Sequence, residues 1–232
     1  MAETDHNHPD HNHADHNHPD DEQTGVSHFD QMAETWEADP GRAEMTRTIA
    51  RAMLDSVDFA GDERALEFGS GTGLAAAMLA EHVGHVLAVD NSPGMLEVFD
   101  KKVRTAGLKN VESRQVDLDQ EMPAGPFDFV FSSMTLHHIK NVAELMHAVF
   151  AELNPGGRVA FADLALEDGS FHRGDVPGVR HHGFSPEQLN NWLSAAGFDE
   201  IAVKTVYHIS REQEDGTTRD YPVLLVTARK SA

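Results

Sequence analysis

The sequence predicts an α/β fold in which helices cover both faces of a mostly parallel sheet. Three observations support this prediction: short apolar strands alternate with helical segments between residues 64 and 196, a glycine-rich turn follows the first strand, and the last two strands flank a connection with Asp215-Gly216. Alternating strands and helices favour parallel pairing, because each helix carries the chain back across the sheet. The last two strands are close in sequence and are expected to pair antiparallel as a hairpin.

The first predicted elements are two helices. Apolar side chains recur at helical spacing in residues 28–37 and again in residues 42–57, and Asp39-Pro-Gly separates the two runs. Ser92-Pro93 and Ser185-Pro186 each supply a capping side chain and a proline for the first turn of a later helix. In chain order, the other predicted elements are strands at 64–68, 85–90, 111–116, 127–132, 158–163, 201–209 and 221–228, and helices at 74–82, 92–106, 141–153 and 185–196, with a turn at Asn154-Pro-Gly-Gly before the fifth strand.

Length and composition limit the classes of protein that fit. The chain has 232 residues, 40% of them hydrophobic, which suits a disordered tail at residues 1–25 and one domain at residues 26–232. Residues 26–60 of that domain are expected to form lid helices. The sequence has no long apolar run, no secretory signal and no cysteine, so we expect a cytoplasmic protein without a membrane span or thiolate metal sites. A net charge of −21 disfavours a nucleic-acid partner, because phosphates are also negative.

The tail contains a five-residue repeat in three copies, which begin at Asp5, Asp10 and Asp15. The repeat offers no apolar side chain for a core, so disorder is expected. Neutral imidazole is a good ligand for nickel, zinc and copper, and we expect the tail to bind such a divalent ion weakly. The alternative is a solvated tail that is rich in histidine without any metal role. The candidate metal ligands are His6, His8, His11, His13, His16 and His18.

The clearest functional signal is the turn Glu67-Phe-Gly-Ser-Gly-Thr-Gly73, which lies between the first strand of the sheet and the next helix. Glycines allow a tight turn and let a ligand approach the backbone closely. The spacing is G-x-G-x-G, whereas a dinucleotide site favours G-x-G-x-x-G with a bound pyrophosphate. A carboxylate at Glu67 suits the cationic end of a ligand better than it suits a phosphate. The turn therefore predicts a ligand without a pyrophosphate.

Two further acids follow the next two strands. Asp90 ends the second strand and Asp117 follows the third, at the edge of the sheet where open α/β sheets bind ligands. A carboxylate at Asp90 can accept hydrogen bonds from both hydroxyls of a ribose, and Asp117 is placed to meet an adenine amino group. Either acid alone fits a solvated loop. In combination with Glu67 and the glycines, they predict a nucleoside-containing cofactor.

These three segments resemble the first motifs of the class I S-adenosylmethionine-dependent methyltransferases. The segments 127–139 and Leu153-Asn-Pro-Gly-Gly157 are similar to the family's sequences after the fourth strand and before the fifth. Phe29-Asp30, with Ala33 and Trp36, resembles the N-terminal helix of the small-molecule branch, which includes quinone-biosynthesis enzymes. The resemblance covers roughly residues 28–230. It implies S-adenosylmethionine as cofactor and a Rossmann-like sheet of seven strands with the last strand inserted antiparallel.

The resemblance also implies roles for individual residues. The glycine turn would line the methionine and ribose parts of the cofactor, and Asp90 would hold the ribose. Asn91 and Met95 would flank the adenine, Asp117 with Leu118 would hold its amino edge, and Ser132 would present backbone to the amino acid end. The implied cofactor-binding residues are Glu67, Gly69, Ser70, Gly71, Thr72, Gly73, Asp90, Asn91, Met95, Asp117, Leu118 and Ser132.

Three histidines are candidate catalytic residues. His137 and His138 follow the fourth strand, and His182 lies with His172 and His181 between the fifth strand and the last helix. Methyl transfer depends on alignment and desolvation, and a general base helps when the acceptor is a hydroxyl of high pKa. Asp163 is a candidate to orient the base. Structural packing of these histidines is the competing interpretation.

The leading hypothesis is methyl transfer to an oxygen, nitrogen, carbon or sulfur atom of a small-molecule acceptor. A metalloid-detoxifying methyltransferase is an alternative raised by the tail, although the lack of cysteine disfavours a thiolate mechanism. A metal-handling or regulatory protein that retains the cofactor fold is another alternative. The acceptor pocket is expected between the N-terminal helices and residues 164–184, and the sequence does not identify the acceptor.

Overall fold

A sheet of seven strands forms the centre of this computed structural model, which describes residues 19–172, 176–213 and 215–231. The strands across the sheet lie in the order β3-β2-β1-β4-β5-β7-β6. Neighbours among the first five are parallel, and β7 lies between β5 and β6, antiparallel to both. The predicted mostly parallel sheet with an antiparallel last strand is confirmed. In chain order the strands are β1 (Arg64–Phe68), β2 (His85–Asp90), β3 (Val111–Gln115), β4 (Phe127–Ser133), β5 (Leu153–Leu164), β6 (Asp199–Glu212) and β7 (Thr218–Arg229).

Helices cover both faces of the sheet, as predicted. Successive side chains of a strand point to opposite faces, so Leu66 and Phe68 join one apolar cluster while Ala65 joins the other. Helices α2, α3 and α4 pack on the Ala65 face, and α5 and α6 pack on the Leu66 face. None of the helices described is long and apolar enough to cross a membrane. The helices are α1 (Pro19–Met32), α2 (Pro40–Leu54), α3 (Leu74–Leu79), α4 (Pro93–Ala106), α5 (Val142–Glu152) and α6 (Pro186–Ala196).

The N-terminal elements differ from the prediction in their bounds. A helix was expected over residues 28–37, but α1 spans Pro19–Met32 and a 3₁₀ helix follows at Ala33–Ala38. The sequence at 19–22 is a proline followed by three acids, a composition that favours the first turn of a helix. The predicted disordered tail, residues 1–25, therefore overlaps the start of α1, and residues 1–18 lie outside the described residues.

The fifth strand begins earlier than predicted. Asn154-Pro-Gly-Gly was expected to form a turn before a strand at 158–163, whereas β5 extends from Leu153 to Leu164. The pairing with β4 is irregular here, because Phe127 pairs with Leu153 while Phe129 pairs with Arg158. Between these two pairs β5 has three residues more than β4, so the expected turn lies as an irregular stretch within the strand.

The turn between β1 and α3 depends on Gly73, which has a left-handed backbone with φ of +79°. A Cβ atom at this position would lie 2.1 Å from the Cδ2 atom of Phe99. Phe99 is a buried residue of α4. Gly73 therefore lets the glycine turn pack directly on α4.

We expect Gly73→Ala to lower the free energy of unfolding by about 3 kcal/mol, since the left-handed backbone contributes ~1–2 kcal/mol and overpacking ~1–3 kcal/mol. Gly107→Ala is a matched control, because Gly107 has φ of +69° and no heavy atom within 4 Å of the added Cβ. Gly107→Ala should lower the free energy of unfolding only by the backbone contribution of ~1–2 kcal/mol. Urea unfolding of both variants measures the difference. Equal losses would show that the contact with Phe99 does not restrict this position.

Candidate active site

The glycine turn lies at the carboxyl end of β1, where parallel sheets bind ligands. Gly69, Gly71 and Gly73 all have positive φ. A Cβ on Gly69 would clash with Thr135, whereas a Cβ on Gly71 would meet no heavy atom within 4 Å. The turn is therefore packed at its two ends and open at its middle, which leaves space for a ligand against the backbone of Gly71.

Two polar side chains next to this turn are buried without a hydrogen-bond partner for one of their atoms. These atoms are Oε2 of Glu67 and Oγ of Ser70. Burial raises the pKa of Glu67 well above its usual range and Asp90 raises it further, while a hydrogen bond from the backbone of Ala76 opposes the shift. Buried polar atoms rarely lack partners in native proteins, so both atoms indicate a polar ligand or water at the turn.

Asp90 joins the glycine turn to the turn that precedes α4. Its Oδ2 accepts a 2.7 Å hydrogen bond from the backbone N–H of Gly71, and its Oδ1 accepts a 2.9 Å bond from Ser92. Burial raises the pKa of Asp90, and these two N–H groups oppose the increase. Each carboxylate oxygen has a second acceptor position, so Asp90 can hold both turns and still accept from a ligand.

Asp117 and Leu118 follow β3, and the structure gives both of them local contacts. Asp117 accepts hydrogen bonds from the backbone of Asp119 at 3.0 Å and from Nε2 of Gln120 at 2.6 Å. Leu118 packs partly buried against the apolar cluster of the Leu66 face. The side chain of Asp117 therefore shapes its own turn.

The remaining predicted cofactor residues lie on three different elements. Met95 is buried in the first turn of α4, and Asn91 is exposed, with its carbonyl accepting a 3.2 Å bond from Gln115. Ser132 is 1% exposed, and its Oγ donates a 2.9 Å hydrogen bond to the carbonyl of Phe68. The side chain of Ser132 thus ties β4 to β1, and contact of its backbone with a ligand stays a prediction.

His137 and Asp163 form a buried pair at the carboxyl ends of β4 and β5. Nδ1 of His137 lies 2.7 Å from Oδ1 of Asp163, and both side chains are almost fully buried. Burial alone would raise the pKa of Asp163, but His137 and backbone N–H groups that donate to the carboxylate hold it below the usual range. Asp163 is therefore ionised and accepts a hydrogen bond from the Nδ1–H of His137, so in the neutral ring Nε2 carries the lone pair.

Two more imidazoles flank this pair. The ring centroid of His137 lies 4.2 Å from the ring centroid of His138 and 5.2 Å from that of His172. Burial and the neighbouring His137 lower the pKa of His138 to about 3 and the pKa of His172 to about 4. Both rings are thus neutral near pH 7. His172 was not among the candidate catalytic residues, because its sequence neighbourhood carries no signal for this contact.

His182 is not in ring contact with this cluster. Its side chain is 59% exposed, and its Nδ1 lies 3.7 Å from Oε1 of Glu167. The structure thus brings His137 and His138 together with Asp163, and it places the third candidate at the surface.

The N-terminal segment, defined as residues 26–38, contacts both sides of the site. Asp30 accepts hydrogen bonds from Ser92 and Gly94 at the start of α4. Glu37 accepts from the hydroxyl of Thr72 in the glycine turn and from Nζ of Lys102 in α4. The sequence could not show these contacts, since the partners are distant along the chain.

The six tail histidines, His6, His8, His11, His13, His16 and His18, lie outside the described residues, so metal binding by the tail stays a prediction. Within the part of the chain that the structure describes, no group of three or more His, Cys, Asp or Glu side chains could hold a metal ion.

Comparisons with known proteins agree with this fold. The family model described as a methyltransferase domain matches residues 41–203, which is more than half of the chain. An uncharacterized methyltransferase of Schizosaccharomyces pombe is 29% identical over 67% of this chain and 64% of its own length. Aklanonic acid methyltransferase DauC of Streptomyces sp. (strain C5) is 29% identical over 62% of this chain and 66% of its own length. The chain thus spans slightly less than two thirds of the length of both relatives.

The solved structure of a DhpI–SAH complex has the same fold. It superposes with a TM-score of 0.70 at 25% identity, and the match covers 90% of this chain and 96% of DhpI. The family model, the sheet order and the glycine turn therefore lead to one assignment. The chain belongs to the class I S-adenosylmethionine-dependent methyltransferase family.

Proposed function

We propose that this chain transfers a methyl group from S-adenosylmethionine to a small-molecule acceptor. The observation that carries the proposal is the glycine turn, in which Gly71 has open space at its Cβ position and donates its N–H to the carboxylate of Asp90, and which follows the buried carboxyl of Glu67. A tight turn with free space at its middle and two acids beside it suits a nucleoside with a cationic end. It suits a pyrophosphate poorly, since the acids would repel it.

The residues present fit S-adenosylmethionine. The unpartnered Oε2 of Glu67 and Oγ of Ser70 are buried polar atoms that a polar ligand would satisfy. Asp90 would hold the ribose hydroxyls, and Asn91, Met95, Asp117 and Leu118 would surround the adenine. The backbone of Ser132 would meet the amino acid end. S-adenosylmethionine supplies, when bound, a methyl group made electrophilic by a sulfonium.

His137 is the proposed general base, which accepts the proton that the acceptor loses when it is methylated. The ionised Asp163 stabilises positive charge on the His137 ring and fixes the Nδ1 proton, which leaves Nε2 to accept a proton. His138 and His172 are weaker bases, because burial opposes their protonation. Their neutral rings exclude water around His137, and exclusion of water strengthens the interaction of its charge with Asp163.

A small-molecule acceptor is supported by two observations. The relative DauC is named for a small molecule, aklanonic acid, and it is 29% identical to this chain over 147 residues. The surface charge also disfavours nucleic acid, since the chain carries a net charge of −21. The rings of His138 and Phe29 make a T-shaped contact, so an aromatic side chain bounds the acceptor side of the site.

Gly71→Ala is expected to weaken binding of S-adenosylhomocysteine about 10-fold or more, because the added methyl group enters the space in which the ligand approaches the backbone. Isothermal titration calorimetry measures the affinity of the full chain. Gly107→Ala provides the control, since its φ of +69° is similarly left-handed and its surroundings are equally open. Equal affinity of Gly71→Ala and the parent would contradict the placement of the cofactor, and lack of binding by the parent would overturn the proposed function.

His137→Gln is expected to lower turnover about 100-fold while leaving the affinity for S-adenosylhomocysteine within about 2-fold, since a general base acts on the acceptor and not on the cofactor. Turnover is measured as release of S-adenosylhomocysteine with hydroxyl, carboxyl and amine acceptors. His182→Ala tests the exposed candidate and is expected to have a smaller effect. A large loss with His182→Ala and none with His137→Gln would assign the base to His182.

The low pKa of His138 predicts a loss of stability in acid. The unfolded chain binds a proton at this residue below about pH 6.5, whereas the folded chain does so only near pH 3. Stability is therefore fully present above pH 6.5 and falls by about 1.4 kcal/mol for each pH unit below it, down to about pH 3. His138→Gln lacks this contribution, so urea unfolding between pH 7 and 4.5 should show a shallower decline. Parallel curves for the two proteins would refute the neutral state of His138.

A further inference from the structure

The N-terminal segment carries two adjacent residues that contact different parts of the site. Asp30 contacts the turn that follows β2, and Phe29 contacts a histidine of the acceptor side. Because both residues belong to one helix, α1, neither contact can move far without moving the other. The two contacts therefore connect the proposed cofactor site with the proposed acceptor site.

The Asp30 contact is close and specific. Oδ1 of Asp30 accepts a 2.5 Å hydrogen bond from Oγ of Ser92 and a 2.9 Å bond from the backbone N–H of Gly94. A Cβ on Gly94 would lie 2.9 Å from the Cα atom of Asp30, so glycine permits this approach. Ser92 also bonds to Asp90 through its N–H and caps α4 through its hydroxyl. Asp30 thus holds the same turn that Asp90 holds from the opposite side.

The Glu37 contact reaches the other turn of the site. Oε1 of Glu37 accepts from Oγ1 of Thr72 and from Nζ of Lys102, and Thr72 is 3% exposed. The side chain of Glu37 is 31% exposed, so the ion pair with Lys102 is partly shielded from solvent. Glu37 therefore fastens the 3₁₀ helix Ala33–Ala38 to the glycine turn and to α4.

The Phe29 contact forms a wall on the acceptor side. The ring centroid of Phe29 lies 5.3 Å from that of His138 and 5.7 Å from that of Trp36, and both contacts are T-shaped. Nδ1 of His138 lies 2.8 Å from the carbonyl of Gly178, and a Cβ on Gly25 would lie 3.2 Å from the Cα of Gly178. Gly25, which directly precedes the segment, therefore packs on the loop that holds His138 in place.

We propose that Asp30 and Glu37 are positioning residues that couple cofactor binding to formation of the acceptor wall made by Phe29, Trp36 and His138. The structure shows the docked state, in which Asp30 and Glu37 hold the Asp90 turn and the glycine turn while Phe29 lies against His138. A cofactor that binds these two turns would favour this docked state over one in which the segment is released. A ligand shifts such an equilibrium only by binding the docked state more tightly, so the coupling appears both in ligand affinity and in protection of the segment.

This inference rests on the proposed function, since it requires that the cofactor binds at the glycine turn. Trp36 provides the reporter, because the chain has two tryptophans and Trp192→Phe leaves Trp36 alone. Acrylamide quenching of Trp36 fluorescence in the full chain is measured with and without S-adenosylhomocysteine. The ligand is expected to lower the quenching constant at least about 2-fold in this parent, because docking shields Trp36 behind Phe29.

Asp30→Ala and Glu37→Ala, each in the Trp192→Phe background, are expected to lose this protection and to bind S-adenosylhomocysteine about 5- to 10-fold more weakly. Asp30→Asn keeps an oxygen acceptor at the same position, and it should retain protection and an affinity within about 2-fold of the parent. Glu34→Ala removes an exposed carboxylate from the same segment and controls for the change in charge. Thermal unfolding checks that each variant is folded. Glu37→Ala keeps the test decisive if Asp30→Ala fails to fold, because Glu37 caps no helix.

The outcomes separate the two proposals. Binding of S-adenosylhomocysteine by the parent, with equal affinity and equal protection of Trp36 in both alanine variants, would overturn the coupling and leave the proposed function intact. Binding without any change in Trp36 quenching in the parent would also overturn the coupling. Failure of the parent to bind S-adenosylhomocysteine would overturn the proposed function and the inference together.

Discussion

The carboxylate of Asp90 holds the candidate site together, because it accepts from the backbone of Gly71 on one side and of Ser92 on the other. The glycine turn and the turn before α4 come from different strands and would otherwise be free to separate. Parallel pairing of β1 with β2 brings their carboxyl ends together, and Asp90 then fixes the distance between the two turns. Ser92 extends the arrangement by capping α4 and by donating to Asp30. A single buried acid thus organises the walls of the proposed cofactor site.

Negative charge is concentrated around this point. Glu67 and Asp90 are acids whose pKa burial raises, and Asp30 adds to the increase at Asp90. Grouping acids in this way is unfavourable unless hydrogen-bond donors or a cation compensate. Backbone N–H groups compensate Asp90, and Lys102 partly compensates Glu67 and pairs with Glu37. A ligand with a cationic end would supply the rest, which agrees with the methyl donor used by the family.

The histidines show how environment separates identical side chains. His137 lies against the ionised Asp163, whereas burial and His137 itself lower the pKa of His138 and of His172. His182 is mostly exposed and lies near Glu167. The four rings are chemically equal in the sequence. Their partners come from the ends of different strands and loops, and these partners give the rings different environments, which is why the proposed base is His137.

The sequence by itself determined the α/β fold, the glycine turn, the acids at the ends of the first three strands and the antiparallel hairpin, because periodicity and turn chemistry are local properties. It also indicated His137, His138 and His182 as candidate bases and Asp163 as an acid that could orient one of them, but the pairing of Asp163 with His137 came from the tertiary structure. The start of α1, the irregular start of β5 and the contacts of Asp30 and Glu37 were decided by the tertiary structure. Asp30 and Gly94 are 64 residues apart, and Glu37 and Lys102 are 65 apart. Contacts at such separations depend on how α1 docks on α4, and no local pattern encodes that docking.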